Sequence, residues 1–348
     1  MSEDSTLSNT QLQEEEIELY EHHRIVVDKG QTMLRLDKYL QMRLENVSRN
    51  RIQQAVKASF VLVNGVVAKS NYKVKPCDEI VVLLPKPPHE FETLPEQVDF
   101  DIIYEDDDVL VVNKAAGLVV HPAYGNWSGT LLNGLLYYFQ GRQGKDGQPV
   151  EPYLVHRIDK DTSGLLLIAK NENSQVVLAK QFFEHTIERK YNALVWGNFD
   201  EDQGTIVGNL ERSPIDRRVM HVTDDPERGK HAVTHWRVLE RFGYVTLVEC
   251  VLETGRTHQI RAHMQHIGHP LFNDVAYGGD RILKGTTFSK YKQFVENCFA
   301  ILPRQALHAI VLGFEHPTLG RHFHFESPIP SDMAAVLDKW RGYVQSLK

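Results

Sequence analysis

VHRIDKDTSGLLLIAK, residues 155–170, crowds four charged side chains into positions 157–161, then runs through a threonine, a serine and a glycine into four successive aliphatic residues. An unbroken run such as Leu165–Ile168 is the pattern of a strand covered on both faces, and hydroxyls and a glycine just ahead of it suit a tight connection. The run therefore predicts a central strand with Asp159 on the loop that enters it, at the sheet edge where reactive groups are commonly presented.

The sequence around this stretch is rich in strands. FDIIYE (100–105) and VLVVNK (109–114) flank the turn Asp106-Asp107-Asp108, and YNALVWG (191–197), HWRVLERF (235–242) and YVTLVECVLE (244–253) are further apolar or alternating runs. Helical spacing appears in NSQVVLAKQFFEHTI (173–187). Neighbouring hairpins with interspersed helices predict an α+β domain on a mixed, mainly antiparallel sheet with flanking helices, from residue 98 to 348. The polar, glycine-bearing loop GRQGKDGQPVEP (141–152) is expected to be mobile. LETGRTHQIRAHMQHIGHP (252–270) reads as strand, turn and a helix N-capped by Thr257 and stopped at Gly268. Its apolar stripe is Ile260, Met264 and Ile267, and its polar row is His258, Arg261 and Gln265, so Arg261 can pair with a loop aspartate.

A second, smaller unit precedes this domain. In residues 34–47, Leu36, Leu40, Leu44 and Val47 recur at helical spacing. Ser48 then caps SRNRIQQAVK, whose apolar Ile52, Ala55 and Val56 are bordered by Arg49, Gln53 and Lys57. Asn64-Gly65 between two β-branched runs predicts a two-residue hairpin turn. Residues 33–85 hold nine bases against four acids, whereas residues 1–32 hold eight acids against two bases and read as a solvated, flexible acidic tail. The proline-rich PKPPHEFETLPEQ reads as a linker over 86–97. Clustered cations on a rigid helix edge (Arg35, Arg49, Arg51 and Lys57) are what phosphate contact requires.

Composition agrees with a soluble chain: 348 residues, 42% hydrophobic, with Cys77, Cys250 and Cys298 scattered and no CxxC pair. There is no run of roughly 18–20 apolar residues and no signal-peptide pattern at MSEDSTLSNT, so a cytoplasmic location away from the membrane is expected.

RLDKYL, SRNRIQQAVK and VLVNG together resemble the S4 RNA-binding domain, with Cys77 standing where that family usually has a glycine. HRIDKDTSG, RKYNALVWG and GRTHQIRAHM, with NKAAGLVVHP, RQALHAIVLGFEHP and SPIP, resemble the RluA/RluD-type pseudouridine synthases over residues 98 to 335. GNWSGTLLNGLLYY (125–138) looks most like the RluD branch. In two places the chain departs from that pattern: Ala115 replaces the usual proline of NKPAG, and Asn273 replaces a common glycine before Asp274.

The resemblance implies a catalytic carboxylate at Asp159, a base-stacking tyrosine at Tyr191 and an aspartate-pairing arginine at Arg261 with apolar Ile260 beside it. It also implies a nucleotide-displacing arginine at Arg157. It implies a substrate, large-subunit (23S) ribosomal RNA, free or in a pre-ribosomal particle, at the stem-loop of the subunit interface (helix 69). The isomerisation involves no net redox change and needs no energy source, so no cofactor or metal is expected, and a monomer is expected. A carboxylate suits glycosidic cleavage because it can stabilise or attack the electron-poor sugar, and it can equally attack the base or remove a sugar proton. A stacking aromatic and a long cationic wedge suit an enzyme that must take its base out of the helix.

Three other readings stand beside this one. A sister branch would act on other ribosomal or transfer RNA uridines, and a non-catalytic S4 protein would bind RNA without turnover. His258, His263, His266 and His269 within twelve residues raise a metal-dependent hydrolase, although no HExxH pattern occurs.

Overall fold

The computed structural model describes residues 20–44, 47, 49–84, 93–123, 126–145, 147–216, 218–225 and 227–346. The chain divides into two compact units, Met1–Thr93 and Leu94–Lys348.

The first unit contains β1 (Tyr20–Val26), β2 (Leu34–Arg35), α1 (Leu36–Arg43), α2 (Arg49–Lys57), β3 (Val61–Val63), β4 (Val66–Val67), β5 (Lys73–Val74) and β6 (Glu79–Leu84). Its strands form a sheet ordered β1-β6-β3-β4 and a β2-β5 pair. Leu36, Leu40, Ile52, Val56, Val61, Val63 and Ile80 close one core. Helix α1 stops at Arg43, one turn short of the apolar spacing; Leu44 is extended, and it and Val47 pack on that core without being helical. The Asn64-Gly65 turn has φ of 51° and 78°, the left-handed pair a tight hairpin requires. Ser48 and the side chain of Arg51 lie outside the described residues.

The expected acidic tail ends earlier than residue 32. Residues 20–26 form β1, which lies antiparallel on β6, because the alternating stretch ending in Ile25 and Val26 completes an otherwise open sheet edge. Cys77 sits at φ 66°, the left-handed conformation for which glycine is the usual choice.

Asp37, fully buried, gathers three of the helix-edge side chains. Arg35 donates to it at 3.0 and 3.1 Å, Arg49 at 2.9 and 3.1 Å, and Gln53 at 2.8 Å. Burial alone would raise its pKa; the hydrogen bonds from Gln53, Arg49 and Arg35 outweigh it and hold the carboxyl well below its ordinary range. A depressed folded pKa gives stability that is complete above the unfolded value, about 4, and is lost on acidification through the folded one. We predict that Asp37→Asn costs this unit about 1–3 kcal/mol, the scale of lost charge-assisted hydrogen bonds whose arginines stay partly solvated, and flattens its acid sensitivity. Hydrogen exchange of residues 20–84 across pH reads both effects.

The second unit comprises β7 (Asp101–Glu105), β8 (Val109–Lys114), α3 (Leu131–Phe139), β9 (Tyr153–Leu154), β10 (Ser163–Ala169), α4 (Glu172–Phe183), β11 (Glu188–Trp196), β12 (Gln203–Arg212), β13 (Met220–Thr223), β14 (Lys230–Arg241), β15 (Val245–Leu252), α5 (Gln259–His266), α6 (Ser289–Ile301), β16 (Leu307–Glu315), β17 (His322–Glu326) and α7 (Ser331–Ser346). Its main sheet runs β13-β12-β14-β15-β11-β16-β10-β8-β7, with β17 on β16 and β9 on β10. The β10–β16 pair is parallel and its neighbours are antiparallel, a mixed, mainly antiparallel sheet with flanking helices.

All seven residues of β10 are buried. Leu166 and Ile168 face the core shared with α3 and α5, while Leu165 and Leu167 face the one shared with α4, which is why the run shows no polar alternation. Gly164 is required here: at φ +117° its absent Cβ would stand 2.2 Å from the Ala309 carbonyl oxygen on β16.

The connecting segment is shorter than its composition suggests, since Glu96 already belongs to this unit. Its carboxylate accepts from the Gly129 amide at 2.7 Å, and its own amide donates to the Asn133 carbonyl. Within 141–152, Gln143 and Pro149 form an antiparallel bridge, Arg142 stacks 3.8 Å over the Tyr138 ring and Lys145 pairs with Asp107. Those two anchors oppose the mobility its composition predicts.

Candidate active site

Asp159 lies on the loop between β9 and β10, and its backbone carbonyl accepts from Thr162, closing a turn. The loop is fastened from below. Fully buried Lys114, the last residue of β8, donates to the carbonyls of Ala115, Leu118 and Lys160, each at 2.8 Å, and burial pushes its pKa down to about 7. Arg304 donates to the Asp161 carbonyl at 3.0 Å while its fork is held by Asp332, and His308 bonds the Ser163 hydroxyl at 2.9 Å. Lys160 and Asp161 thus serve the loop through their backbones. His156 accepts from the Leu167 amide through Nε2 at 2.8 Å, and burial followed by the nearby Arg189 pushes its pKa down to about 3, so it stays neutral and acts as a strut.

Helix α5 brings Arg261 to this loop. Arg261 Nη1 donates to Asp159 Oδ2 at 3.0 Å, while Nε and Nη2 fork onto Asp274 at 2.7 and 2.9 Å. Asp274 is 1% exposed, so one buried arginine is shared between a buried carboxylate that orients it and a more open one that faces the cavity. The Tyr277 ring lies 4.8 Å from the guanidinium. Tyr277 accepts from the Met220 amide at 2.8 Å and shares a hydrogen bond of 3.1 Å with His258 Nδ1, and His258 Nε2 lies 3.8 Å from Asp159.

Thr257 does not cap the helix. His258 occupies the cap at φ 53°, and Gln259 accepts instead from Thr254 and the Arg256 amide. Asn273, at φ 57°, takes the left-handed conformation that glycine would supply and ties its side chain to the Leu302 carbonyl at 2.6 Å, so the loop before Asp274 keeps its shape.

A cavity of about 510 Å³ opens beside this pair, lined by Asp159, Arg261, Tyr191, Ile260, Arg157 and His258 among others. Tyr191, on β11, is 7% exposed, and burial, opposed by nearby Arg189 and reinforced by Asp159, pushes its hydroxyl pKa up, so it stays a neutral aromatic face. Ile260 is buried against the same core, and Arg157 is exposed.

The residues singled out in the larger unit therefore converge: the fold brings Asp159, Tyr191, Arg157, Ile260 and Arg261 to one cavity. Those of the smaller unit form their own group, where Arg35 and Arg49 share Asp37 and Lys57 is exposed. Sequence reasoning passed over Lys114, Asp274, Tyr277 and Arg304. A signal existed for Lys114, a lysine ending a strand that opens with four apolar residues; the others depend on contacts distant in sequence.

The clustered histidines do not gather into a ligand set. His263 bonds Thr234, His269 bonds the Trp196 carbonyl and stacks on Phe199, and His258 alone approaches Asp159. Among the described residues, the groups close enough to share an ion lie elsewhere, at Glu188, His322 and His324 and at Asp106, Asp108 and His316.

Residues 108–266, which span both halves of this site, match the model of the RNA pseudouridylate synthase family, and residues 34–80 match the S4 domain. An RNA pseudouridine synthase of Chlorobaculum parvum, itself described as uncharacterized, is 46% identical over 90% of this chain and 96% of its own. The chain belongs to the RNA pseudouridylate synthase family. The ribosomal large subunit pseudouridine synthase D of Nitrosomonas europaea is 40% identical over 99% of this chain and 93% of its own, which places the chain with the RluA/RluD-type members. Human RNA pseudouridylate synthase domain containing 1 superposes with a TM-score of 0.50 at 25% identity, covering 71% of this chain and 95% of that one. The protein is thus an RNA pseudouridine isomerase with an S4 RNA-binding domain. No helix among the described residues is long and apolar enough to cross a membrane.

Proposed function

We propose that this synthase isomerises uridines of large-subunit (23S) ribosomal RNA in the cytoplasm, at the stem-loop of the subunit interface (helix 69), with Asp159 as catalytic carboxylate. The observation that supports the reading is the Asp159 carboxylate held 3.0 Å from Arg261 in a cavity faced by Tyr191. Isomerisation breaks the N1–C1′ bond, turns the uracil and joins C5 to C1′; the C5 hydrogen leaves as a proton and N1 gains one. Redox is balanced and no energy source enters.

Asp159 acts at the nucleotide while Arg261, pinned by Asp274, fixes which oxygen faces it. Tyr191 offers a π face to the extruded uracil, a contact worth about 1–3 kcal/mol in single-strand recognition. Arg157, exposed at the cavity, is placed to occupy the space the base leaves. A monomer suffices, since one chain supplies all of these groups.

The S4 unit, residues 33–85, holds RNA through Arg35, Arg49, Arg51 and Lys57. Deleting residues 1–85 is expected to weaken binding of a large-subunit RNA transcript and to make the dependence of log affinity on log salt shallower by about 0.7–0.9 per lost phosphate contact. An unchanged slope would remove these residues from the interface. The reaction itself is tested with transcripts tritiated at uridine C5. Release of tritium from large-subunit RNA and little from transfer RNA is expected; the reverse preference would point to a sister branch.

A further inference from the structure

Arg189 is a buried cation beside the catalytic cavity. It precedes Tyr191 by two positions on β11, so strand alternation sets both side chains on the same face, toward the cavity they both line. It is 7% exposed, its Nε has no hydrogen-bond partner, and among the described residues no carboxylate pairs with it; its neighbours include the Phe182 ring at 5.3 Å, Gly255, His156 and the Tyr191 hydroxyl. Gly255 makes room for it, since a Cβ there would stand 2.8 Å from Arg189 Nη1. Burying an arginine without a counter-ion is costly, and the cost is relieved when an anion arrives. The cavity lining holds four arginines, Arg157, Arg189, Arg256 and Arg261, against the single carboxylate Asp159, and Arg261 is already engaged by Asp159 and Asp274.

We propose that Arg189 and the space above Gly255 form a phosphate subsite that takes a backbone phosphate of the RNA next to the nucleotide stacked on Tyr191. The inference rests on the cavity being the uridine site. A guanidinium beside the stacking ring grips the strand where the base leaves the helix, and its fork matches phosphate oxygens. Arg189 is in this sense a positioning residue; the chemistry stays with Asp159.

The test uses the full chain with Arg189→Met, Arg189→Lys and, in parallel, Asp159→Asn. For Arg189→Met we expect KM for the RNA to rise about ten- to a hundredfold, the worth of one charged hydrogen-bonding group, with kcat changed less. The slope of log(1/KM) against log salt should become shallower by about 0.7–0.9. Arg189→Lys should restore the slope. The free Arg189→Met protein should melt no lower than wild type, because an unpaired buried charge has been removed.

An unchanged KM and salt slope would overturn the subsite, as would a lowered melting temperature that Arg189→Lys does not repair. A raised KM with an unaltered slope would also overturn it, assigning Arg189 to an uncharged atom of the base. If Asp159→Asn turned over like wild type, the cavity reading would fail first; an inactive Asp159→Asn beside a wild-type-like Arg189→Met would sink the subsite alone.

Discussion

Asp159→Asn is expected to lower turnover more than about 10⁴-fold, the scale of removing a nucleophilic or charge-bearing catalytic group. Its RNA affinity and melting temperature should stay near wild type. The reason lies in how the charges are distributed. Arg261 keeps its fork on Asp274 when Asp159 becomes neutral, so no buried charge is stranded, and the loop remains fastened by Lys114 and Arg304 through backbone carbonyls that the substitution leaves in place. An asparagine fills the same space yet cannot serve as an anionic nucleophile or base. Single-turnover tritium release with equilibrium RNA binding separates the two effects. Loss of binding in parallel with loss of turnover would mean that Asp159 holds the RNA and does not act on it.

Arg261→Met should damage both activity and stability, for a different reason. It strands Asp274, which is 1% exposed and relies on the two hydrogen bonds of the arginine fork, and it frees Asp159 to swing. Leaving one buried charge unpaired costs about 3–5 kcal/mol. The double variant Arg261→Met/Asp274→Asn should regain much of that stability, since no charge is left uncompensated, while turnover stays low because Asp159 is no longer oriented. Chemical denaturation and tritium release on the four members of the cycle measure this. Recovery of activity together with stability would show that Arg261 contributes only to folding.

The sequence made the strands legible because their patterns are local. The aliphatic run after Gly164 predicts a doubly covered strand, and the Asp106–Asp108 turn separates β7 from β8 where expected. The convergence of Asp159, Tyr191 and Arg261 came from motif resemblance: spacing alone cannot show that residues about a hundred positions apart meet at 3.0 Å. What stayed hidden is of three physical kinds. Strand β1 was masked by the acidic composition before it, although edge strands tolerate charge. The cap at His258 is a left-handed conformation, uncommon outside glycine even for histidine, and local spacing does not signal it. Arg35 and Arg49 looked like free cations on a helix edge, yet both bond to Asp37, an interaction fixed by the packing of α1 against α2. About two-fifths of each side chain remains exposed, so both still present charge outward. Cys77 and Asn273 each take up the left-handed conformation that glycine adopts most readily.

The most direct test of the central claim is a map of pseudouridines in large-subunit RNA from cells lacking this protein, complemented with the wild-type gene or with Asp159→Ala. The account predicts that modifications in the subunit-interface stem-loop disappear in the deletion, return with wild type and stay absent with Asp159→Ala. Restoration of every lost pseudouridine by Asp159→Ala would contradict the catalytic assignment, and losses confined to other RNAs would contradict the substrate.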